Sequence, residues 1–454
     1  FFKFLILNLM LDIKKFFFNY KFKLHNKKIF DHKYDIIPNN KILIEFNSFA
    51  TTHIPMTYFS NILSVKYKAK IVAAYNYHLL VNEFKSSLFT KFKWIIGKFL
   101  SLNFFGIYKS FGTSDFILPE NDDNLIIKRK KYLNKIKKKI NSKKDVLKIK
   151  INSILIGDLI YDTYLKRFKK KTVELDQNFF DFLEQFVDLY FYWENYFDNN
   201  DIKATVGHHT VYSYALPLRI SIKRNIPTFA INCIEMYQLN KKNISTNYQY
   251  EDYKKNFQKL SSENKKKALV LANKKLFDRV RGKVNLNEVD YISKSAFSSN
   301  LNFNKKKIKK NKIKVLIASH DFFDSVHVYG NLIFPDFYEW LRFIAQNTKK
   351  SKAEWYIKTH PNYQGKFNIS QNYSKKIVDD LVREFPHLKL LDNNLSHSEI
   401  LKKGIDFVLT CFGSIAWEYA YLNVIPITAA INNPYKDYQF AIHPKDEKEY
   451  KKII

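Results

Sequence analysis

The residues best placed to do chemistry lie in two short turns, Lys358-Thr359-His360-Pro361 and Thr410-Cys411-Phe412-Gly413-Ser414, with Glu418 four residues past the second. Each turn follows an apolar run of strand type, and the second opens a segment of helix type. The chain holds only 10 Gly and 11 Pro in 454 residues, so a Pro at one turn and a Gly at the other are scarce residues at strand ends. Proline cannot continue a ladder, so the chain turns after His360 and sets the imidazole at a sheet edge. There it can donate to a phosphate, with Lys358 adding charge. Gly413 lets a ligand approach the backbone, the first N–H groups of the next helix point outward, and Ser414 adds a hydroxyl donor. Glu418 falls on the same helix face one turn deeper, where a carboxylate can accept from ribose hydroxyls. A strand-capping histidine and an N-cap serine with a surface glutamate fit the same residues, and that plain interpretation stays open.

Further polar stretches follow other apolar runs. Ser319-His320-Asp321-Phe322-Phe323-Asp324 adds His320 and Asp321 to the donor-binding candidates Lys358, His360, Pro361, Gly413, Ser414 and Glu418. Its His and Asp residues have no HExxH spacing and no Cys partner, so no metal is expected. His208-His209 ends another strand, with Thr210, Tyr212 and Arg219 behind it. His209 or His208 can take a proton from an acceptor hydroxyl, because imidazole titrates near working pH; a packed histidine pair fits equally well. Asn47 and His53, in the Asn47–His53 stretch after an earlier strand, join Tyr212 as acceptor-side candidates. Gly157-Asp158-Leu159-Ile160-Tyr161-Asp162 is distinctive, but no role follows from it. The absence of Walker A, GxGxxG and GxSxG patterns argues against P-loop kinases, NAD dehydrogenases and α/β-hydrolases.

The elements that must position these residues alternate. In the C-terminal part strands are expected at Ile313–Ala318, Ala353–Lys358, Leu388–Leu391, Ile405–Leu409 and Val424–Thr428. Helices fall between them at Phe334–Gln346, Ser374–Glu384, Ser396–Lys402 and Ser414–Tyr421. That alternation predicts right-handed crossovers and a parallel, doubly wound sheet. Earlier in the chain Lys41–Phe46, Ala69–Ala74, Ala204–Gly207 and Thr228–Asn232 read as strands, and Phe179–Tyr196 and Val211–Lys223 as helices. The expected architecture is α/β: two Rossmann-like, doubly wound domains facing across a cleft. Residues 1–303 form the acceptor-side domain, with a Lys-rich helical insertion near 128–150. Residues 304–312 are expected to form a Lys-rich linker, and 313–454 a C-terminal Rossmann-like domain.

Composition sets outer bounds. With 76 Lys+Arg against 43 Asp+Glu the formal charge is +33, which suits polyanions or anionic lipid. Lys, Asn, Ile, Phe and Tyr are abundant together, as codon bias in an AT-rich genome produces. No zinc-finger, RNP-type or basic-zipper pattern supports a nucleic-acid partner, and none is expected. Two cysteines, Cys233 and Cys411, suit a reducing cytoplasm rather than a disulfide framework. Phe1–Leu11 is apolar but interrupted by Lys3 and too short to span a bilayer. The chain lacks an initiator Met, so its true N-terminus is expected to be missing. Phe92–Tyr108 mixes aromatics with lysines, a pattern that fits either a membrane surface or a buried helix.

Lys-Thr-His-Pro at 358–361 and Thr-Cys-Phe-Gly-Ser at 410–414 with Glu418 resemble the C-terminal half of bacterial capsule and surface-polysaccharide glycosyltransferases of GT-B type. Kdo- and sialic-acid-transferring enzymes carry a similar His-Pro motif. Asn433-Pro434 through Asp437, Phe440, His443-Pro444 and Tyr450 look like the family's closing segment, and Gly157–Tyr164 and His208–Pro227 like its N-domain. The resemblance extends over about two thirds of the chain. It implies that His360 and the Gly413-Ser414 turn hold a nucleotide phosphate and that Glu418 contacts the ribose. No carboxylate matches a family base, which leaves His209 and His208. The crossing C-terminal helix of such enzymes is absent after Tyr450, so a truncated chain is expected. The implied activity is metal-independent sugar transfer from a nucleotide-sugar donor, with no cofactor, to a glycan or lipid-linked glycan acceptor. The expected location is cytoplasmic, with peripheral contact at an anionic inner membrane. A polyol-phosphate transferase, a UDP-sugar 2-epimerase-like enzyme, and a basic membrane- or nucleic-acid-binding protein are the alternatives.

Overall fold

The computed structural model describes residues 19–30, 35–47, 50–75, 88–119, 126–283, 295–297, 312–360 and 369–454. Phe1–Leu11, Pro361 and residues 304–311 of the Lys-rich run lie outside them. The chain divides into two compact units, Phe1–Thr163 with Leu175–Thr246, and Tyr164–Glu174 with Asn247–Ile454. Helices Tyr253–Lys259 and Ser262–Val280 therefore belong with the second unit.

The first unit holds β1 (Asn40–Phe46), β2 (Lys70–Tyr75), β3 (Thr113–Ile117), a small hairpin of β4 (Lys150–Ile151) and β5 (Ile154–Leu155), then β6 (Asp201–Gly207), β7 (Thr228–Ile231) and β8 (Met236–Leu239). Its main sheet runs β3-β2-β1-β6-β7-β8, parallel except for β8 against β7. The second unit holds β9 (Lys314–Ala318), β10 (Glu354–Lys358), β11 (Leu388–Leu390), β12 (Phe407–Thr410) and β13 (Ile425–Thr428), all parallel in the order β11-β10-β9-β12-β13. Both units are thus Rossmann-like α/β layers. Ile-Leu-Ile in β1 and Val-Leu-Ile in β9 are continuous apolar runs because helices cover both faces of such sheets, so neither face tolerates polar alternation. In each sheet the strand order reverses beside the first strand, between β1 and β6 and between β9 and β12. Ligands of open α/β sheets bind at the carboxyl ends of such a switch point.

Local chemistry sets the helix boundaries. Asp176 caps Gln177–Asp198 by accepting from Phe179 N, and the helix buries Phe182, Phe186 and Trp193. Each such side chain contributes roughly 1.5–3 kcal/mol by leaving water. The Lys-rich stretch near 128–150, expected as a helical insertion, forms two helices, Ile126–Lys137 and Lys143–Leu147. Its Leu133, Ile136 and Ile140 recur at helical spacing and are buried, and Arg129 pairs with Asp188 at 3.1 Å. The helix expected from Val211 starts at Ala215, because Tyr212 takes a positive φ and spends the preceding residues in a turn. In Gly157–Asp162, Arg219 grips Asp158 through two bonds of 2.7 and 2.6 Å and also donates to Leu155 O. A Cβ at Gly157 would sit 2.1 Å from Val146 O, so only glycine fits there.

Candidate functional site

At the β1/β6 switch point a buried carboxylate closes the edge. Glu45 is 4% exposed, and its Oε2 accepts from the backbone N–H groups of His208 (2.8 Å) and His209 (3.0 Å). Its Oε1 lies 2.6 Å from His209 Nδ1 and accepts from Asn47 Nδ2 at 3.0 Å. Gly207 makes room for this approach: a Cβ there would stand 3.4 Å from Glu45 Oε2 and 3.2 Å from both Leu218 methyls. Burial alone would raise the Glu45 pKa. The charge and hydrogen bond of His209, with the His208 N–H, outweigh it and hold the carboxyl well below its usual range. Glu45 is therefore ionised at neutral pH.

Of the acceptor-side candidates, Asn47 bonds this carboxylate directly. Asn47 is itself held by Thr52 Oγ1 at 2.9 Å. The Tyr108 hydroxyl accepts from Asn47 N and donates to Glu45 O, tying the end of β1 to helix Asn103–Ser110. His53 is buried and stacks on Tyr108 at 5.7 Å. Tyr212 is buried in the turn after His209. His208 Nδ1 bonds Ile231 O at 3.2 Å, and burial first, then the neighbouring His209, lowers its pKa. His209 is half-buried and stacks on Tyr214 at 4.8 Å. With Nδ1–H directed to Glu45, Nε2 is the ring's lone-pair nitrogen, and the carboxylate stabilises the imidazolium that forms when Nε2 takes a proton.

At the β9/β12 switch point the bridging group is neutral. His320 Nε2 accepts from Cys411 N at 3.1 Å and lies 2.9 Å from Thr410 Oγ1, which in turn accepts from Gly413 N. The proton of the ring therefore sits on Nδ1. Burial, then the charge of His360, pushes the His320 pKa down to about 3. Its ring stacks on Phe337 at 4.4 Å. Gly413 packs close under this network, since a Cβ would lie 2.9 Å from Thr410 Oγ1. His360 follows β10 on the other side of β9, and burial lowers its pKa against the pull of Asp321 and Asp324. Asp321 accepts from Phe323 N at 3.0 Å and from Ser374 Oγ at 3.3 Å.

Two donor-side candidates are engaged within the unit. Lys358 is buried and donates to Asn393 O (3.1 Å) and Asp392 O (3.4 Å) beyond β11. Glu418 is 3% exposed and accepts from Arg279 Nε at 3.0 Å and from Ser414 Oγ at 3.3 Å. Burial raises its pKa, opposed by Arg279. Ser414 is exposed and does not cap the seven-residue helix Ile415–Tyr421 with its side chain. The sheet edge brings His360, His320, Thr410 and Gly413 to the carboxyl ends of three neighbouring strands, β10, β9 and β12, whereas Pro361 lies outside the described residues.

No family model matches the chain, and no curated protein matches it. Among solved structures it is similar to a beta Kdo 2,4 transferase (KpsC) of Thermosulfurimonas dismutans, at 12% identity over 55% of this chain and 75% of that one, with a TM-score of 0.33. It is also similar to UDP-GlcNAc 2-epimerase from Neisseria meningitidis, at 10% identity over 91% and 90%, TM-score 0.26. A third is the ADP-heptose LPS heptosyltransferase II of E. coli, at 10% identity over 89% of each chain, TM-score 0.21. At these scores the likenesses assign no residue a role.

Three residues of these edges escape a reading by pattern. Glu45 stands between Ile44 and Phe46 in the buried run Ile42–Phe46, and that charge inside a buried run is the signal that could have found it. Arg279 lies in the last turn of a helix 139 positions before its partner Glu418. The Ser319 hydroxyl, buried beside His320, has no hydrogen-bond partner among the described residues. Among the described residues no group of three or more His, Cys, Asp or Glu is placed to hold a metal ion.

Proposed function

We propose that the protein transfers a sugar from a nucleotide-activated donor to a growing surface glycan of capsule or lipopolysaccharide type. The donor belongs to the second unit and the acceptor to the first. The observation that carries this is the Glu45–His209 pair at a switch point, a carboxylate-oriented imidazole at the edge where α/β sheets bind ligands. In the proposed reaction the acceptor O–H gives its proton to His209 Nε2, the acceptor oxygen bonds to the sugar's anomeric carbon, and the nucleotide leaves with its bonding pair. Glu45 keeps the imidazole oriented and offsets its new charge. On the second unit, His360 and the Gly413-Ser414 turn are assigned to the donor phosphates and Glu418, with Arg279, to the ribose. The Ser319 hydroxyl is a further donor available there.

A panel of CMP-, CDP-, UDP- and GDP-linked sugars tests the assignment by thermal shift. One class is expected to raise Tm, and His360→Ala to abolish the rise while circular dichroism is unchanged. No shift with any of the four removes the proposal's main support. Release of a 2-epimer from a UDP-sugar without an acceptor selects the epimerase instead.

A further inference from the structure

Helix Leu88–Leu100 is apolar on two opposite faces, and among the described residues only one of them packs against the fold. On the inner face Trp94 packs against Phe46 (5.4 Å), Tyr75 (5.5 Å) and Phe105 (4.9 Å). Gly97 lets Phe105 approach so closely that a Cβ would lie 2.7 Å from its ring. On the opposite face Phe92 (59% exposed), Ile95 (62%) and Phe99 (80%) form a stripe at i, i+3 and i+7. Ser101 takes a positive φ and ends the helix. Leu100, Leu102 and Phe104 beyond the stripe are exposed as well. A monomer in water has no use for such a stripe.

The charge around it indicates what covers it. At about 100° per residue, Lys91 and Lys98 fall on one flank of the stripe and Lys93 on the other. Lys98 pairs with Asp115 at 2.5 Å, and Lys109, on the next helix, donates to Lys98 O and Ser101 Oγ. Asp115 is the one acidic residue from Leu88 to Asp115, so with Lys91 and Lys93 the flanks stay net positive. Large apolar side chains facing outward between lysines match an interfacial helix, with rings among the acyl chains and ammonium groups among anionic headgroups. A second protein surface of this chain, at +33, would meet those lysines with like charge. We infer that this face of the first unit docks on an anionic lipid bilayer.

The face also leads inward to the Glu45 edge. Phe104 contacts the His53 ring at 5.6 Å, His53 stacks on Tyr108, and Tyr108 donates to Glu45 O. A membrane at Phe92–Phe104 therefore lies one aromatic relay from the main-chain carbonyl of Glu45. The docking does not depend on the sugar-transfer proposal, since it is read without donor or acceptor.

Sedimentation of the full chain with phosphatidylcholine vesicles, with and without 30 mol% phosphatidylglycerol, provides the test. The anionic vesicles are expected to bind it at least tenfold better, with the advantage falling as salt rises. Phe92→Ser/Ile95→Ser/Phe99→Ser, all at exposed positions, is expected to cut binding tenfold or more with Tm unchanged, and Lys91→Gln/Lys93→Gln to weaken only the anionic preference. Undiminished binding by the triple variant overturns the inference, as does binding lost instead in Leu269→Ser/Leu271→Ser on helix Ser262–Val280. A dimer that the triple variant turns to monomer, with no vesicle binding by either, assigns the stripe to a second copy.

Discussion

Glu45 Oε1 and His209 Nδ1 stand 2.6 Å apart across the β1/β6 edge, although 164 positions separate them in the chain. The same carboxylate accepts both backbone N–H groups of the His208-His209 turn, so it fixes the turn and the imidazole together. A group that only orients the ring would need one of these bonds. Glu45 makes all three, and it therefore both holds the fold and aims His209.

This dual role separates two variants. With His209→Ala, sugar transfer is expected to fall by roughly 10²–10⁴ in kcat with little change in KM, the usual loss of a proton acceptor. Glu45→Gln keeps the ring but withdraws the charge that stabilises imidazolium. The acid limb of its rate profile, where His209 protonates, is expected to move to lower pH. An unmoved limb would leave Glu45 as scaffold alone. The same substitution should cost about 2–4 kcal/mol of stability, because a Gln amide sets N–H groups against the turn's donors.

Buried ionisable groups also make stability depend on pH. His320 and His397 are pushed down to about 3, first by burial and then by nearby positive charge. Unfolding returns each to about 6.5. The unfolded chain then binds more protons below that pH, and the stability these groups contribute is lost as pH falls from about 6.5 toward 3. Glu45, held low when folded, adds stability present above about 4.5 and lost further down. Tm is therefore expected to fall steadily from pH 7 to pH 4, and His397→Phe, which removes one titrating ring, to flatten that fall. A wild-type Tm unchanged over this range contradicts these directions.

How much of this was legible beforehand depends on how local the signal is. Strands such as β9 and β12 are continuous apolar runs bounded by polar turns, and they emerged within a residue or two of expectation. The places of His320, Gly413 and His208-His209 just past strand ends follow from the same local runs, whereas the strand order that sets them at switch points does not. Nor do the partners. Nothing near residue 45 announces His209, and nothing near Glu418 announces Arg279, since both pairs are made by sheet order and packing at long separation. In the Lys-rich stretch near 128–150 the helical spacing is local and legible, while the burial of Leu133 and Ile136 depends on packing at long separation.

The Arg279–Glu418 pair decides whether Glu418 serves the ligand or the fold. The carboxylate is 3% exposed and Arg279 is about a third exposed, so the pair is only partly shielded from water. Arg279→Met strands the carboxylate beside Ser414 and should cost about 1–3 kcal/mol, less than a fully buried pair because solvent screens the guanidinium. Adding Glu418→Gln removes the stranded charge and should restore part of that loss, read as denaturant midpoints. If Glu418 also meets the ribose, Glu418→Gln alone should weaken donor binding about tenfold by calorimetry, roughly 1.4 kcal/mol. A purely structural Glu418 would shift the midpoint and leave Kd where it was. Because the two readouts respond to different roles, one variant measured twice separates them.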